Sequence, residues 1–289
     1  MSAIVQRLPT HAHDIGFTVR RALPAAARRS IGPFVFLDHM GPARFPVGST
    51  EGDVRPHPHI GLATVTYLFS GAMMHRDSLG SVQLIEPGAV NWMTAGSGIT
   101  HSERMPAEIR EHNRAVEGIQ MWVALPRELE ECAPGFWHYA AADLPQLDYP
   151  GASVHVLCGQ FGGAESPVAC TSPTLYLAVE MRAQGSITLP ADYAERGLYV
   201  LCGNLLVNGE AIEEYELVLL AEGETVTITA LDEARLMVLG GAPLDGPRQM
   251  WWNFVASDRE KIEAAKLRWQ AGQFAAVPGE TEFIPLPER

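Results

Sequence analysis

Hydrophobic residues recur along most of the chain in short alternating runs. Segments such as "ATVTYLFSG", "SVQLIEPGAVNWM", "EGIQMWVALP", "ASVHVLCG", "TLYLAVEM" and "EYELVLLAEGETVTITA" are rich in Val, Ile, Leu, Thr and Tyr, and Gly, Pro, Asp or Asn separates one from the next. In a strand the residues at i, i+2 and i+4 line one face. Strands this closely spaced predict antiparallel sandwiches or barrels rather than alternating βα units, so the expected class is all-β, built from antiparallel β-barrels. One late segment follows a different period. In "ASDREKIEAAKLRWQAG", Ser257 and Glu260 stand at capping-box spacing, and Ile262, Ala265 and Trp269 share one helical face before Gly272. A C-terminal helix on the outside of a barrel is the expectation. The neighbouring Trp251 and Trp252 are read as core.

With 289 residues the chain has room for two domains. The stretch "AADLPQLDYPG", residues 141 to 151, is rich in Pro and Asp and has little periodicity, which makes it the expected linker. The domains are then 1–142 and 143–289, the second carrying the terminal helix. An internal echo points to duplication. "GDVRPHPHIGLATVTYLFSGAMMHRDSLGSVQLIEPGAVNWMTA" and "LPADYAERGLYVLCGNLLVNGEAIEEYELVLLAEGETVTITA" share a layout of strand, Gly turn and hairpin.

Polar residues interrupt the apolar pattern at one place in a systematic way. Within "RPHPHIGLATVTYLFSG", a continuous strand points His57 and His59 to the same side, together with Gly61, Ala63, Val65 and Tyr67. An interior imidazole needs a hydrogen-bond partner or a metal. A single such pair among ten histidines carries little weight alone. About forty residues on, however, "MTAGSGITHSERM" holds His101 and Glu103, again two apart, after Gly96 and Gly98, which permit a tight bend. A β-barrel brings the inward faces of separate strands together. Three imidazole nitrogens and one carboxylate oxygen then suit one divalent first-row metal, with iron, manganese, nickel, copper, cobalt and zinc all compatible, and leave one or two positions of an octahedron open. A purely structural site would be closed and thiolate-rich.

The remaining histidines are read as bystanders. His11 and His13 form another H-x-H, but near the terminus and without strand context. His39 and His75 stand singly and are expected to be hydrogen-bonded or at a pocket rim; His112, His138 and His155 are isolated. No histidine follows His155, so the second half of a duplicated fold should hold no equivalent metal site.

Composition narrows the function classes. Lys+Arg 21 against Asp+Glu 34 gives a formal charge of -13, which repels phosphate backbones and anionic membranes and so argues against direct nucleic-acid or membrane binding. No apolar run approaches membrane-spanning length and "MSAIVQRLPTHAHD" lacks a signal-peptide core, so a cytoplasmic location is expected. Cys132, Cys158, Cys170 and Cys202 lack C-x-x-C spacing and are expected to be reduced, mostly buried thiols. A monomer is the expected state.

Long stretches carry a resemblance. "HPHIGLATVTYLFSG", "HRDSLGS", "NWMTAGSGITHSE" and "RQMWWNFVASDREKIEAAK" resemble the pirin family of bicupins over nearly the whole chain. The resemblance implies two cupin β-barrels with one metal in the N-terminal barrel, held by His57, His59, His101 and Glu103. It departs from the general cupin pattern at one point: that pattern has a carboxylate three or four residues after the H-x-H pair, whereas this chain has Ala63 and Thr64. Alternation counts Ala63 as inward. Two activities are implied by the family. One is a quercetin 2,3-dioxygenase type of reaction, with a small phenolic substrate and dioxygen, in which Glu103 takes the substrate proton as general base. The other is a non-enzymatic, iron-binding, redox-sensitive partner of a transcription or metabolic protein.

Overall fold

The protein is described by a computed structural model over residues 2 to 288. Eight strands recur in each half. In the first half they are β1 (Phe34–Ala43), β2 (Val54–His59), β3 (Leu62–Ser70), β4 (Met73–Asp77), β5 (Val82–Ile85), β6 (Val90–Thr94), β7 (Ile99–Arg104) and β8 (Val116–Ala124). In the second they are β9 (Thr174–Met181), β10 (Ser186–Leu189), β11 (Glu195–Cys202), β12 (Leu205–Val207), β13 (Glu210–Ile212), β14 (Glu216–Leu220), β15 (Val226–Ala230) and β16 (Ala234–Gly241).

The two sets are wired alike. In the first half a large sheet has the central order β6-β3-β8-β1 and a small sheet the order β2-β7-β4-β5; in the second the orders are β14-β11-β16-β9 and β10-β15-β12-β13. Every strand keeps its neighbours when eight is added to its number. The duplication expected from the sequence echo is therefore present strand for strand. Flanking strands bring each large sheet to seven: Gly135–Tyr139, Thr18–Leu23 and His11–Asp14 in one, Ile4–Pro9, Ala152–Cys158 and Gln146–Tyr149 in the other. The all-β class and the two antiparallel halves are as expected, but the sheets do not close into continuous barrels and each half is jelly-roll-like.

Packing divides the chain into two compact units that are not contiguous in sequence. One, here the histidine unit, comprises residues 13–19, 39–141 and the chain from Asp245 on; the other, the apolar unit, comprises the chain up to Ala12, residues 20–38 and residues 142–244. The apolar unit is filled between its sheets by Leu177, Val179, Leu198, Val200, Leu236 and Val238 from the large sheet and Ile187, Leu189, Val207 and Ile228 from the small one. In the histidine unit an apolar core of Met40, Leu68, Met73, Ile85 and Val116 occupies part of the corresponding space.

The terminal helix spans Arg259–Gln270. The expected second domain, 143–289, includes it, yet Ile262, Ala265, Phe254 and Phe274 cluster with Ile60, beside β2 in the histidine unit. Its cap also differs from expectation. Asp258 accepts the Glu260 backbone N–H at 2.9 Å, while Ser257 is engaged by Glu130, to which its backbone N–H and hydroxyl donate at 2.7 and 2.8 Å. Trp251 and Trp252 are half-buried against the same cluster. The expected linker lies where the units part at Ala141/Ala142, but Gln146–Tyr149 pairs with Ala152–Cys158, so most of it is a hairpin. Its side chains Leu147 and Tyr149, two apart, pack on the apolar core and supply the alternation that Pro and Asp obscure. None of the four cysteines is in a disulfide; Cys158 is buried and the other three are half-buried, fewer than expected. Among the described residues no helix is long and apolar enough to cross a membrane.

Candidate metal centre

The small sheet of the histidine unit presents one face toward its large sheet, and the candidate donors lie on it. In β2 and β7, His101 is directly opposite His57 and Ile99 opposite His59, so all three imidazoles share that face. Their donor atoms lie within 4.8 Å of one another and all three residues are buried. Ring centroids are 4.4 Å apart for His57 and His101, 4.9 Å for His57 and His59, and 5.0 Å for His59 and His101.

Backbone carbonyls fix two of the rings. His57 Nδ1 donates to the Arg55 carbonyl at 2.9 Å and His59 Nδ1 to the Asn253 carbonyl at 3.0 Å, which leaves each neutral ring with its lone pair on Nε2. His59 Nε2 lies 3.1 Å from His101 Nε2. Two ring nitrogens that close repel unless a proton or a cation lies between them, so the donor set fits a metal. Burial holds His57 down to about 4, and holds His59 and His101 well below the usual 6.5, with neighbouring rings adding to the effect. Neutral imidazoles are the form a metal requires.

Glu103 stands on β7 beside this trio and outside the 4.8 Å group. A β-bulge between His101 and Glu103, where β7 pairs with β2, offsets the carboxylate from the histidine register. Burial pushes its carboxyl up to about 7.

The segment read as one strand is two. Gly61, at φ +68°, lies between β2 and β3, and a Cβ there would come 2.0 Å from the Val255 carbonyl oxygen. The break shifts the alternation by one residue. Thr64 is opposite Trp122 and Met93, Met93 is opposite Phe136, and both aromatic rings of that row touch the site: Trp122 lies edge-on to His59 at 5.2 Å and Phe136 stacks on His75 at 4.3 Å. Thr64 therefore faces the histidines and Ala63 faces away, the reverse of the sequence count.

His11 and His13 lie on a short strand that the sequence did not suggest, exposed and apart from the trio. His39 is buried 3.4 Å from Glu117, His112 bonds the Glu108 carbonyl, and His138 bonds Asn91 at 2.7 Å. His75, expected to be hydrogen-bonded or at a pocket rim, stands beside the trio together with Asp77. His75 Nε2 donates to Asp77 Oδ2 at 2.9 Å, and His75 Nδ1 is 3.4 Å from His101 Nδ1. The signal was available: "HRD" has the same two-residue spacing as "HPH" and "HSE". Burial raises the Asp77 carboxyl, but the bonds from His75 and Ser81 outweigh it and hold it below the ordinary value. The carbonyl of Asn253 carried no local signal at all.

Known proteins match this arrangement along the whole chain. Residues 16–123 match the family description Pirin, and residues 176–275 match Pirin C-terminal cupin domain. A pirin-like protein of Caulobacter vibrioides is 48% identical over 279 residues, covering 95% of this chain and 96% of the relative. Pirin of Rattus norvegicus is 30% identical, covering 88% of this chain and 86% of the relative. The crystal structure of a quercetin 2,3-dioxygenase from Acinetobacter baumannii superposes with a TM-score of 0.91 at 35% identity, covering 99% of this chain and 96% of that one. The chain belongs to the pirin family.

Proposed function

We propose that this pirin is a metal-dependent dioxygenase of flavonols or related phenolics, of the quercetin 2,3-dioxygenase type, with iron as its metal and one site per chain. The observation that carries the reading is the trio of buried, neutral imidazoles, in a chain similar over its full length to a protein named quercetin 2,3-dioxygenase. His57, His59 and His101 would hold the metal, with Glu103 as a fourth ligand. When bound, a redox-active metal supplies Lewis acidity toward a phenolic oxygen and electron transfer to dioxygen, the second of which zinc does not offer. Glu103 accepts the proton of the substrate hydroxyl from its place two residues beyond His101. Trp122 and Phe136 flank the histidines as flat apolar walls, suited to exclude water and to hold an aromatic ring. The residue facing the site where many cupins have a carboxylate is Thr64, which leaves proton uptake to Glu103.

The test is anaerobic loading with iron, followed by quercetin and oxygen, with detection of carbon monoxide and of substrate loss. Oxygen-dependent turnover with a redox-active metal and none with zinc is the expected result. Turnover with zinc would favour Lewis-acid hydrolysis or isomerisation, and no turnover with any metal would leave the family's second role.

That second role, an iron-binding redox-sensitive partner of a regulatory or metabolic protein, has one observation in its favour. The C-terminal segment is fastened to the outer faces of the two ligand strands: Ser102 and Arg104 on β7 donate to Glu280, and the Ile284 backbone N–H donates to the Pro56 carbonyl on β2. A change at the metal would reach an exposed chain segment through the backs of the strands that hold it.

A further inference from the structure

Two buried polar side chains beside the trio are required neither by the fold nor by the ligand set. His75 and Asp77 lie on β4, two residues apart, with Asp77 opposite His101 and His75 opposite Glu103. The equivalent strand of the apolar unit, β12, has Leu205 and Val207 at these places, where they face Ala230 and Ile228 on β15. The architecture is thus complete with hydrocarbon there, and the polar pair has some other reason to be buried.

Hydrogen bonds give the pair a direction. Asp77 Oδ1 accepts the backbone N–H groups of Leu79 and Ser81 at 2.9 and 3.0 Å, and Oδ2 accepts from His75 Nε2 at 2.9 Å. A carboxylate only accepts, so His75 has a proton on Nε2, and in the singly protonated form of the ring the lone pair is on Nδ1. That lone pair faces His101 Nδ1 at 3.4 Å. With a metal ion in the gap between His101 Nε2 and His59 Nε2, which are 3.1 Å apart, the lone pair of a neutral His101 falls on Nε2 and its proton on Nδ1, where it donates to His75. Phe136, stacked on His75 at 4.3 Å and 11°, holds the ring plane.

We propose that Asp77 and His75 are positioning residues for the metal centre: the pair fixes the tautomer and orientation of His101 so that Nε2 faces the metal, and it passes the field of a buried carboxylate to that ligand. The proposal rests on the three histidines being a metal site, and is independent of whether the protein is an enzyme. Loss of such an outer partner ordinarily weakens metal binding tenfold to a hundredfold.

A structural role for Asp77, capping the turn after β4, is the competing explanation, and the amide separates the two. In Asp77→Asn the carbonyl oxygen still accepts from Leu79 and Ser81, but the NH₂ donates to His75. The chain of protons reverses: His75 becomes the donor at Nδ1, His101 must accept there, and its proton moves to Nε2, where the metal should be. His75→Leu, the side chain at the equivalent position of β12, disconnects the relay instead of reversing it.

The experiment measures Co(II) dissociation constants by chelator competition, with the visible Co(II) spectrum as a second readout, for wild type, Asp77→Asn, His75→Leu and the double variant. Urea melts of the metal-free proteins check the fold. Asp77→Asn is expected to bind about tenfold to a hundredfold more weakly than wild type, at little change in stability. His75→Leu should be weakened less, with a shifted spectrum, and the double variant should bind more tightly than Asp77→Asn alone. Wild-type affinity in Asp77→Asn, or a double variant at least as weak as Asp77→Asn, overturns the proposal. If Asp77→Asn does not fold, His75→Leu decides: unchanged affinity and spectrum overturn it. His59→Ala separates the premise from the proposal, because a wild type that binds Co(II) no better than this variant removes the metal site itself.

Discussion

The histidine unit and the apolar unit run the same strands in the same order, and they differ most at matched positions on one sheet face. Where β2 and β7 carry His57, His59 and His101, β10 and β15 carry Ile187, Leu189 and Ile228; where β7 and β4 carry Glu103, His75 and Asp77, β15 and β12 carry Ala230, Leu205 and Val207. In the apolar unit these side chains are part of one continuous core, and each large one contributes roughly 1.5–3 kcal/mol of burial. In the histidine unit the same space is lined by groups whose burial is costly unless each finds a partner. The backbone framework therefore sets where a site can be, and the side chains alone decide whether it exists. The difference also shows what the fold can lose: one unit gives up hydrocarbon at six positions and keeps its architecture.

That comparison can be broken most directly by counting metal. His59→Ala should take occupancy from one metal per chain to near none, whereas Leu189→Ala, at the matched position, should leave it at one. Elemental analysis of freshly purified proteins reads both, and a second tightly bound metal held by the apolar unit would end the one-site description.

Stability should reverse the ranking. Leu189 is completely buried, and its truncation is expected to cost about 2–5 kcal/mol in denaturant unfolding. His59→Ala in the metal-free protein should cost less than that, since it removes a desolvated imidazole together with its bond to Asn253. Equal losses would mean that the histidine face is packed as a core in its own right.

Acid and base should distinguish the units next. Burial lowers His57 to about 4 from 6.5, so as pH falls the unfolded chain takes up the proton first. The stability this ring contributes to metal-free protein is whole above pH 6.5 and is lost between 6.5 and 4, by about 3 kcal/mol at roughly 1.4 kcal/mol per pKa unit. Glu103, raised from 4.5 to about 7, has the opposite sign: its contribution is whole below pH 4.5 and is lost as pH rises through 7. Replacing His57 by Ile, the residue of β10, should flatten the rising limb of a stability–pH profile between pH 4 and 6.5, and Glu103→Gln the opposing falling limb between 4.5 and 7. Unchanged limbs would place these groups in water rather than in the sandwich.

The smallest effect belongs to the other H-x-H. His11 and His13 are exposed, so His11→Ala should leave metal content unchanged and stability within about 0.5 kcal/mol of wild type.

Much of this contrast is readable in the sequence. The pairs His57/His59 and His101/Glu103 announce a shared face because the two-residue period of a strand is local geometry, independent of what packs around it. The absence of histidine after His155 likewise separates the halves. Alternation failed at Gly61, where a residue at φ +68° ended the strand and turned Thr64, not Ala63, toward the site. It failed there because a glycine inside an apolar run does not declare whether it continues the strand or breaks it. The spacing of His75 and Asp77 obeys the same rule, but their contact with the ring of His101 lies across the sheet and is not written in that spacing.

By itself, then, the sequence determined the class of strands, the duplication and the trio of imidazoles, all of which follow from short-range periodicity and composition. Tertiary structure alone decided which terminal segments complete which unit, that the Asn253 carbonyl orients His59, that a bulge sets Glu103 apart from the trio, and that Asp77 reaches His101 through His75. These depend on groups many residues apart meeting in a desolvated space. The alternation of side chains along a strand is a property of the chain's covalent geometry, whereas a hydrogen-bond partner from a distant segment is fixed only when the whole fold has closed around it.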